Sequence, residues 1–413
     1  MLRSLSASAV WILAGVLPCC AAHAADPLKV ALIEPYSGPF ASTGTTALRA
    51  FQDEFERLNA LGGALGRNLV VVPFDSKSSA QEATLQMQAA VDQGIRFIIH
   101  GSGSNVGHAI SDFVAKYNGR NPDKPLLYLN HGALDPALTE EKCHFWHFRF
   151  VAHGHMIMNA VIDALARQKD VKRVYLINQD YAWGQSVAKD ARQMLALRRP
   201  DIEIVGEDLH PIGKVKDFAP YAAKIRASGA DAVVTGNWAN DLSLLVRALD
   251  ESGLRIRIHA PIAALNGTAA SMGASGAGRV HSVLFWHANA GESPVLTRAL
   301  AFRARYGEDW NWYPNHIVPQ MLVKAIEQAR STDVLPVALA LESMRYESPT
   351  GDVWMRPEDH QLAMPLFESV FAKQGEPGVP HEAEGSGFGW KTERRLEARD
   401  NVPPVVCRIK RPE

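Results

Sequence analysis

Short apolar runs recur along the chain: LKVALIE from Leu28, NLVVVPF from Asn68, RFIIHG from Arg96, PLLYLN from Pro125, RVYLIN from Arg173, IEIVGE from Ile202, ADAVVTG from Ala230 and RIRIHAP from Arg255. Most lack the strict polar alternation of a half-exposed strand, which marks strands covered on both faces. Between them, apolar positions at three- and four-residue spacing predict helices over 47–61, 81–93, 153–168, 184–197 and 241–252. Strands alternating with helices predict parallel sheets, here two doubly wound ones of four strands each, before Cys143 and after Asp170. After Gly278 the pattern changes to RVHSVLFWHANAG, helices over 295–306 and 316–330, and strand-like pieces at 351–355 and 364–371. Late elements of this kind cross back between two lobes and form a hinge. FWHFRF, around Trp146, and FWHANAG, near Trp286, alternate in period two and read as crossover strands.

The chain has 413 residues, more than one core usually supports, which agrees with two domains. Lys and Arg number 43 against 44 Asp and Glu, a balance that excludes nucleic acid or a polyanionic membrane surface as the main partner and leaves a small molecule. The first residues combine Arg3, an apolar stretch from Ala9 to Leu17 and Ala22-His23-Ala24, which reads as a secretory signal peptide over 1–24, cleaved after Ala24. Cys19 and Cys20 fit lipid attachment poorly, because Pro18 or Cys19 stands where a small residue is expected. No later run approaches the roughly 20 apolar residues of a membrane span, so the mature chain is expected to be soluble outside the cytoplasm. Cleavage leaves Cys143 and Cys407, and an oxidising compartment predicts a disulfide between them that pins the C-terminal tail to the middle of the chain.

In doubly wound sheets ligands bind outside the carboxyl ends of the strands. The turns there, EPYSGPFASTG, HGSGSN, NHGALDP, NQDYAWGQS and TGNWAND, are rich in small and aromatic residues, and two such rims facing each other make a cleft. IIHGSGSNVGHAI, from Ile98, runs from strand end through glycines to a helix start, an anion-site arrangement. Its G-x-G-x-x-x-G spacing at the third strand is not the dinucleotide fingerprint. CHFWHFRFVAHGHM collects Cys143, His144, His147, His153 and His155, but on a strand and a following helix start their side chains diverge, so no metal site is expected. The mature chain has no nucleophile elbow, H-E-x-x-H, P-loop or paired-cysteine zinc spacing, so no catalytic residues are assigned.

The ordered segments SGPFASTG, NALGGALGRNLVVVPFDSKSSAQEA, DQGIRFIIHGSGS, NHGALDPALT, YLINQDYAWGQS and LVRALDESGL resemble the periplasmic leucine/isoleucine/valine-binding proteins, the solute receptors of ABC importers. The resemblance runs from about Leu28 to Tyr346. It implies a type I periplasmic binding fold: two α/β lobes joined by three crossovers, closing on one small ligand, without cofactor or chemistry, and working as a monomer with an inner-membrane ABC permease. The expected lobes are 25–150 with 289–350, and 151–288 with 351–413. The ligand carboxylate is expected at Ser102, Gly103, Ser104, Gly132, Ala133 and Leu134, the last standing where the family has a hydroxyl-bearing Thr. The acidic residue that meets a ligand ammonium aligns with Ile262, leaving Asp135, Asp180 or Asp241 as substitutes. The family's opposite-lobe tyrosines align with Trp183 and Trp238, an aromatic floor, and Tyr36 and Thr43 lie in the first rim loop. The expected ligand is a branched-chain or other amino acid, or a small aromatic or branched carboxylate. A ligand-sensing module that signals to a membrane receptor would use the same cleft, and a secreted α/β enzyme is a further alternative.

Overall fold

Strands β1 (Leu28–Glu34), β2 (Leu69–Asp75), β3 (Phe97–His100), β4 (Leu127–Asn130) and β5 (His147–Arg149) form one parallel sheet in the order β2-β1-β3-β4-β5. This is a computed structural model, and it describes residues 26–310 and 312–412. The signal peptide expected over 1–24 lies outside the described residues. Every residue of β3 and β4 is buried, as their apolar runs require, and so is every residue of β5, His147 and Arg149 included. Helices α1 (Ala41–Ala60), α2 (Ala80–Asp92) and α3 (Ser104–Arg120) make the crossovers. At the start of α2 the Ser79 hydroxyl accepts the Glu82 N–H at 3.3 Å, the first half of a capping box that fixes where the helix begins.

The second lobe repeats the scheme. Helix α4 (Gly154–Arg167) leads into β6 (Arg173–Gln179), α5 (Ala182–Arg198), β7 (Glu203–His210), α6 (Ala219–Ser228), β8 (Ala232–Val234), α7 (Ala239–Glu251), β9 (Arg257–His259), α8 (Thr268–Met272) and β10 (Val280–Leu284). Their order, β7-β6-β8-β9-β10, matches the first sheet strand for strand, so each lobe has its switch point at the end of its first strand.

The strand count differs from the expected four and four. β5 extends the first sheet because FWHFRF pairs with β4 over three residues before the chain crosses. The second sheet gains β10 and two late antiparallel strands, giving seven in all. After β10 come α9 (Pro294–Tyr306), α10 (Pro314–Ala329) and α11 (Val334–Leu341), with α10 packed on α1 of the first lobe. Residues 351–363 do not join the second sheet; β11 (Arg345–Ser348), β12 (Gly351–Met355) and β13 (Leu362–Ala363) form their own antiparallel sheet. The chain then enters the second lobe as β14 (Leu366–Lys373) and β15 (Phe388–Leu396).

The chain thus passes between lobes after β5, after β10 and before β14. The tail adds a fourth link. It leaves the second lobe beside α4, where Asn401 meets Asn159 at 3.4 Å. It is then held on the first-lobe side: Pro403 O accepts Arg356 Nη1 at 2.7 Å, Arg411 pairs with Glu342 at 2.7 Å, and Cys407 is disulfide-bonded to Cys143 with the Cα atoms 5.9 Å apart.

Candidate functional site

The two sets of strand ends face each other and touch. Phe40 of the first lobe lies against Trp238 of the second with ring centroids 4.4 Å apart, Asn266 Nδ2 donates to Thr46 Oγ1 at 3.3 Å, and the Ala182 N–H reaches Asn105 Oδ1 at 3.4 Å. Between them lies a space of about 700 Å³, part of it open to solvent.

The first-lobe wall rests on one carboxylate. Glu34, the last residue of β1, is fully buried and its Oε1 accepts both His131 Nε2–H and the Gly101 N–H at 2.7 Å. Burial pushes this carboxyl up, but the His131 hydrogen bond and the neighbouring His100 outweigh it and hold it below its ordinary value of 4.5. Glu34 therefore ties the turns after β3 and β4 together. Gly101 has no room for a side chain: a Cβ there would stand 2.7 Å from the His131 ring and 2.8 Å from Gly132 N. Gly103, at φ 103°, turns the chain into α3. The first N–H of α3 to find a carbonyl within that turn is Gly107's, bonded to Gly103 O at 3.0 Å, which leaves the N–H groups of Ser104 to Val106 as the helix's unpaired donors.

The second-lobe wall is aromatic. Trp183 sits in the first turn of α5 and Trp238 just before α7, both buried rather than loop-exposed. Their indole N–H groups are already used, by Gly236 O at 2.9 Å and by the Tyr181 hydroxyl at 2.8 Å, so they offer the cavity ring surface and no donor. Trp310 and Trp312, from the segment before α10, complete the lining, and Trp312 Nε1 donates to His131 O at 2.7 Å.

Of the residues expected at the site, Thr43, Ser102, Gly103, Ser104, Gly132, Leu134, Trp183 and Trp238 line this cavity. Tyr36, Ala133 and Asp135 do not. Tyr36 is held by Asp75 through its backbone and by Leu32 O through its hydroxyl, and burial beside Glu34 and Asp75 pushes its phenol up. The N–H groups of Gly132 and Ala133 both bond Asn130 Oδ1, at 3.0 and 2.8 Å, so a local Asx turn takes the donors expected for the ligand. Asp135 accepts from His108 at 2.7 Å and from the Ala137 N–H. Asp180 bonds Gln185, and Asp241 bonds Gln179 and the Gly213 N–H. None of the three faces the cavity, and among the described residues the lining holds no Asp, Glu, Lys or Arg.

Sequence reasoning did not assign Trp310, Trp312, Asn315 or His131 to the site. The W-x-W pair before Pro314 was the available signal. Thr43 Oγ1, Asn315 Oδ1, Trp310 Nε1 and His131 Nδ1 are buried without a hydrogen-bond partner, an unusual concentration in one cavity wall.

The histidine-rich segment resolves into separate roles. Cys143 is in the disulfide, His144 meets Ser111 Oγ at 2.8 Å, and His147 meets Leu138 O at 3.1 Å. His153 and His155 come together beside Glu140, contrary to the expected divergence, because the chain turns between them into α4. His155 lies between Glu140 at 2.8 Å and Asp190 at 3.0 Å. Burial alone would lower its pKa, but the two carboxylates raise it to about 10.

A family model described as periplasmic binding protein matches residues 27–373. The chain belongs to that family. This periplasmic binding protein is 32% identical over 406 residues, 95% of each chain, to the Leu/Ile/Val-binding protein homolog 4 of Brucella abortus (strain 2308). It is 31% identical to the leucine-, isoleucine-, valine-, threonine-, and alanine-binding protein of Brucella ovis in its closed conformation, covering 94% of this chain and 100% of that one with a TM-score of 0.83. A Rhodopseudomonas palustris BisB5 solute-binding protein in complex with 3,4-dihydroxybenzoic acid shares the fold at 18% identity, covering 90% of this chain and 98% of that one with a TM-score of 0.78. Membership of the periplasmic binding protein family makes this chain a solute-binding protein for a small ligand, in a family of binders rather than catalysts. Among the described residues, no helix is long and apolar enough to cross a membrane.

Proposed function

We propose that this periplasmic binding protein captures a small monocarboxylate with an apolar or aromatic body and presents its closed form to an inner-membrane ABC permease, after export by a signal peptide over 1–24. The lobes would be 25–150 with 289–350 and 151–288 with 351–413, the latter modified by the separate sheet at 351–363 and by the tail. The observation that carries the ligand class is a lining of four tryptophans, hydroxyls and a helix N-terminus without one charged carboxylate or cation. A carboxylate fits because the free N–H groups of Ser104 to Val106 and the helix dipole stabilise an anion without a basic side chain. An ammonium fits poorly because it would be desolvated with no acidic partner. A ligand that touches both walls binds the closed state better than the open one, and occupancy then shifts the population toward the form a permease reads.

The names of the Brucella relatives favour a second reading, a branched-chain amino acid met by backbone carbonyls. Calorimetry of the mature chain with 4-methylpentanoate, benzoate and leucine separates the two, since 4-methylpentanoate is leucine without its amino group. Tighter binding of either simple carboxylate supports the proposal. Leucine binding tighter than 4-methylpentanoate by about tenfold, or roughly 1.4 kcal/mol, overturns it in favour of the amino acid.

A further inference from the structure

We propose that Glu140, His153 and His155 form a site for a divalent transition-metal ion of the zinc class, which ties the two lobes together beside the hinge. Glu140 lies between β4 and β5, in the first lobe, whereas His153 and His155 flank the start of α4, which packs against α5 and β10 of the second. One candidate ligand atom from each of the three falls within 4.8 Å of the others. Donors around a zinc ion bonded at about 2.0–2.1 Å stand roughly 3.4 Å apart, so the side chains need to close by about an ångström.

Two features beyond proximity favour an ion here. His153 is only 1% exposed and its Nδ1 has no hydrogen-bond partner, so a buried lone-pair donor is left over. His155 presents Nδ1 to Glu140 at 2.8 Å and Nε2 toward Asp190 at 3.0 Å. A buried carboxylate behind the far nitrogen of a histidine is the arrangement that orients imidazole toward a metal. Asp190 is itself 1% exposed, so its carboxylate sits beside the imidazole out of reach of bulk water.

Two imidazoles and one carboxylate suit zinc, with a fourth position left for water on the partly exposed side of His155. Arg149 and Arg356 lie near His153 and oppose an added cation, while Glu140 and Asp190 offset them. The site is separate from the ligand cavity, whose lining includes none of these residues. Its donors come from both sides of the first crossover, Glu140 before β5 and the two histidines after it.

The test is equilibrium dialysis of the untagged mature chain against zinc chloride, with metal measured by elemental analysis. The expected result is one zinc ion per chain at micromolar free zinc, weakened about 10- to 100-fold in Glu140→Gln and in His153→Gln, each checked for folding by circular dichroism. Because His153 is buried and its variant is the one at risk of misfolding, cobalt chloride titration of the wild type supplies a second readout: visible absorption bands of a tetrahedral site are expected. Absence of stoichiometric zinc binding, or zinc binding unchanged in Glu140→Gln, overturns the site. Both outcomes are read without any organic ligand and so stand apart from the carboxylate proposal.

Discussion

The two lobes share a strand order but build opposite walls. In the first, a buried carboxylate at the end of β1 holds Gly101 and His131, and the wall it supports offers unpaired backbone donors and hydroxyls. In the second, the corresponding residue at the end of β6 is Gln179, which bonds Asp241, which in turn accepts the Gly213 N–H. The same kind of polar brace therefore stands under both rims, but above the second lie indoles whose N–H groups are already satisfied. One wall is preorganised to bond a ligand's polar end, and the other to cover its apolar body.

That contrast is open to attack at several points. The largest effect is expected from Trp183→Ala: emptying a fully buried indole site should lower unfolding free energy by about 3–5 kcal/mol in urea denaturation, and unchanged stability would show that the second wall is not part of the core. Next comes Glu34→Gln, which removes the charged acceptor shared by His131 and Gly101 and should cost about 2–3 kcal/mol. It also carries a pH signature. The unfolded Glu34 carboxyl takes a proton more readily than the folded one, so the stabilisation is fully present above about pH 4.5 and is lost as pH falls through the lowered folded value. The gap between wild type and variant should therefore narrow in acid, and a gap independent of pH would mean that the charge contributes nothing.

Gly101→Ala should act mainly on affinity. Its Cβ displaces the His131 ring and the Gly132 backbone, and a loss of about 2 kcal/mol in ligand binding by calorimetry is expected. Ligand affinity equal to wild type would remove the turn after β3 from the site. The smallest effect belongs to Trp238→Phe, which keeps an aromatic surface but gives up the bond to the Tyr181 hydroxyl; about 1 kcal/mol in affinity is expected, and a loss as large as that of Trp238→Ala would mean the indole N–H matters more than the ring.

Much of the scaffold was legible in the sequence because periodicity reports burial directly. The runs at Leu28, Arg96 and Pro125 became central strands, and the helical pattern at 241–252 became α7 at Ala239–Glu251. FWHFRF showed as a strand but not as a fifth member of the first sheet, because pairing with β4 is a long-range contact, and helix α6, with only Ala222 and Ile225 buried, has no apolar stripe to mark it. At the site, Ser102, Ser104, Trp183 and Trp238 could be placed because they lie in the turns and helix starts just beyond strand ends, where the fold class itself positions ligands. The loss of the Gly132 and Ala133 donors to Asn130 could not be read, since an Asx turn depends on a side-chain rotamer.

The sequence by itself determined the two α/β lobes, the rims and the family resemblance, because alternation of strands and helices and the order of motifs are local properties of the chain. Only the tertiary structure decided which groups face one another. It brought Trp310, from the segment before α10, and Asn315, in the first turn of α10, against first-lobe turns more than a hundred residues away, and it gathered Glu140 with His153 and His155 across the hinge. The Cys143–Cys407 disulfide was expected from the cysteine count, but the route of the tail to it, past Asn159 of α4 and on to Arg356 and Glu342, was set by the tertiary structure. Those juxtapositions arise from packing two separately wound sheets against each other, and no spacing within either sheet encodes them.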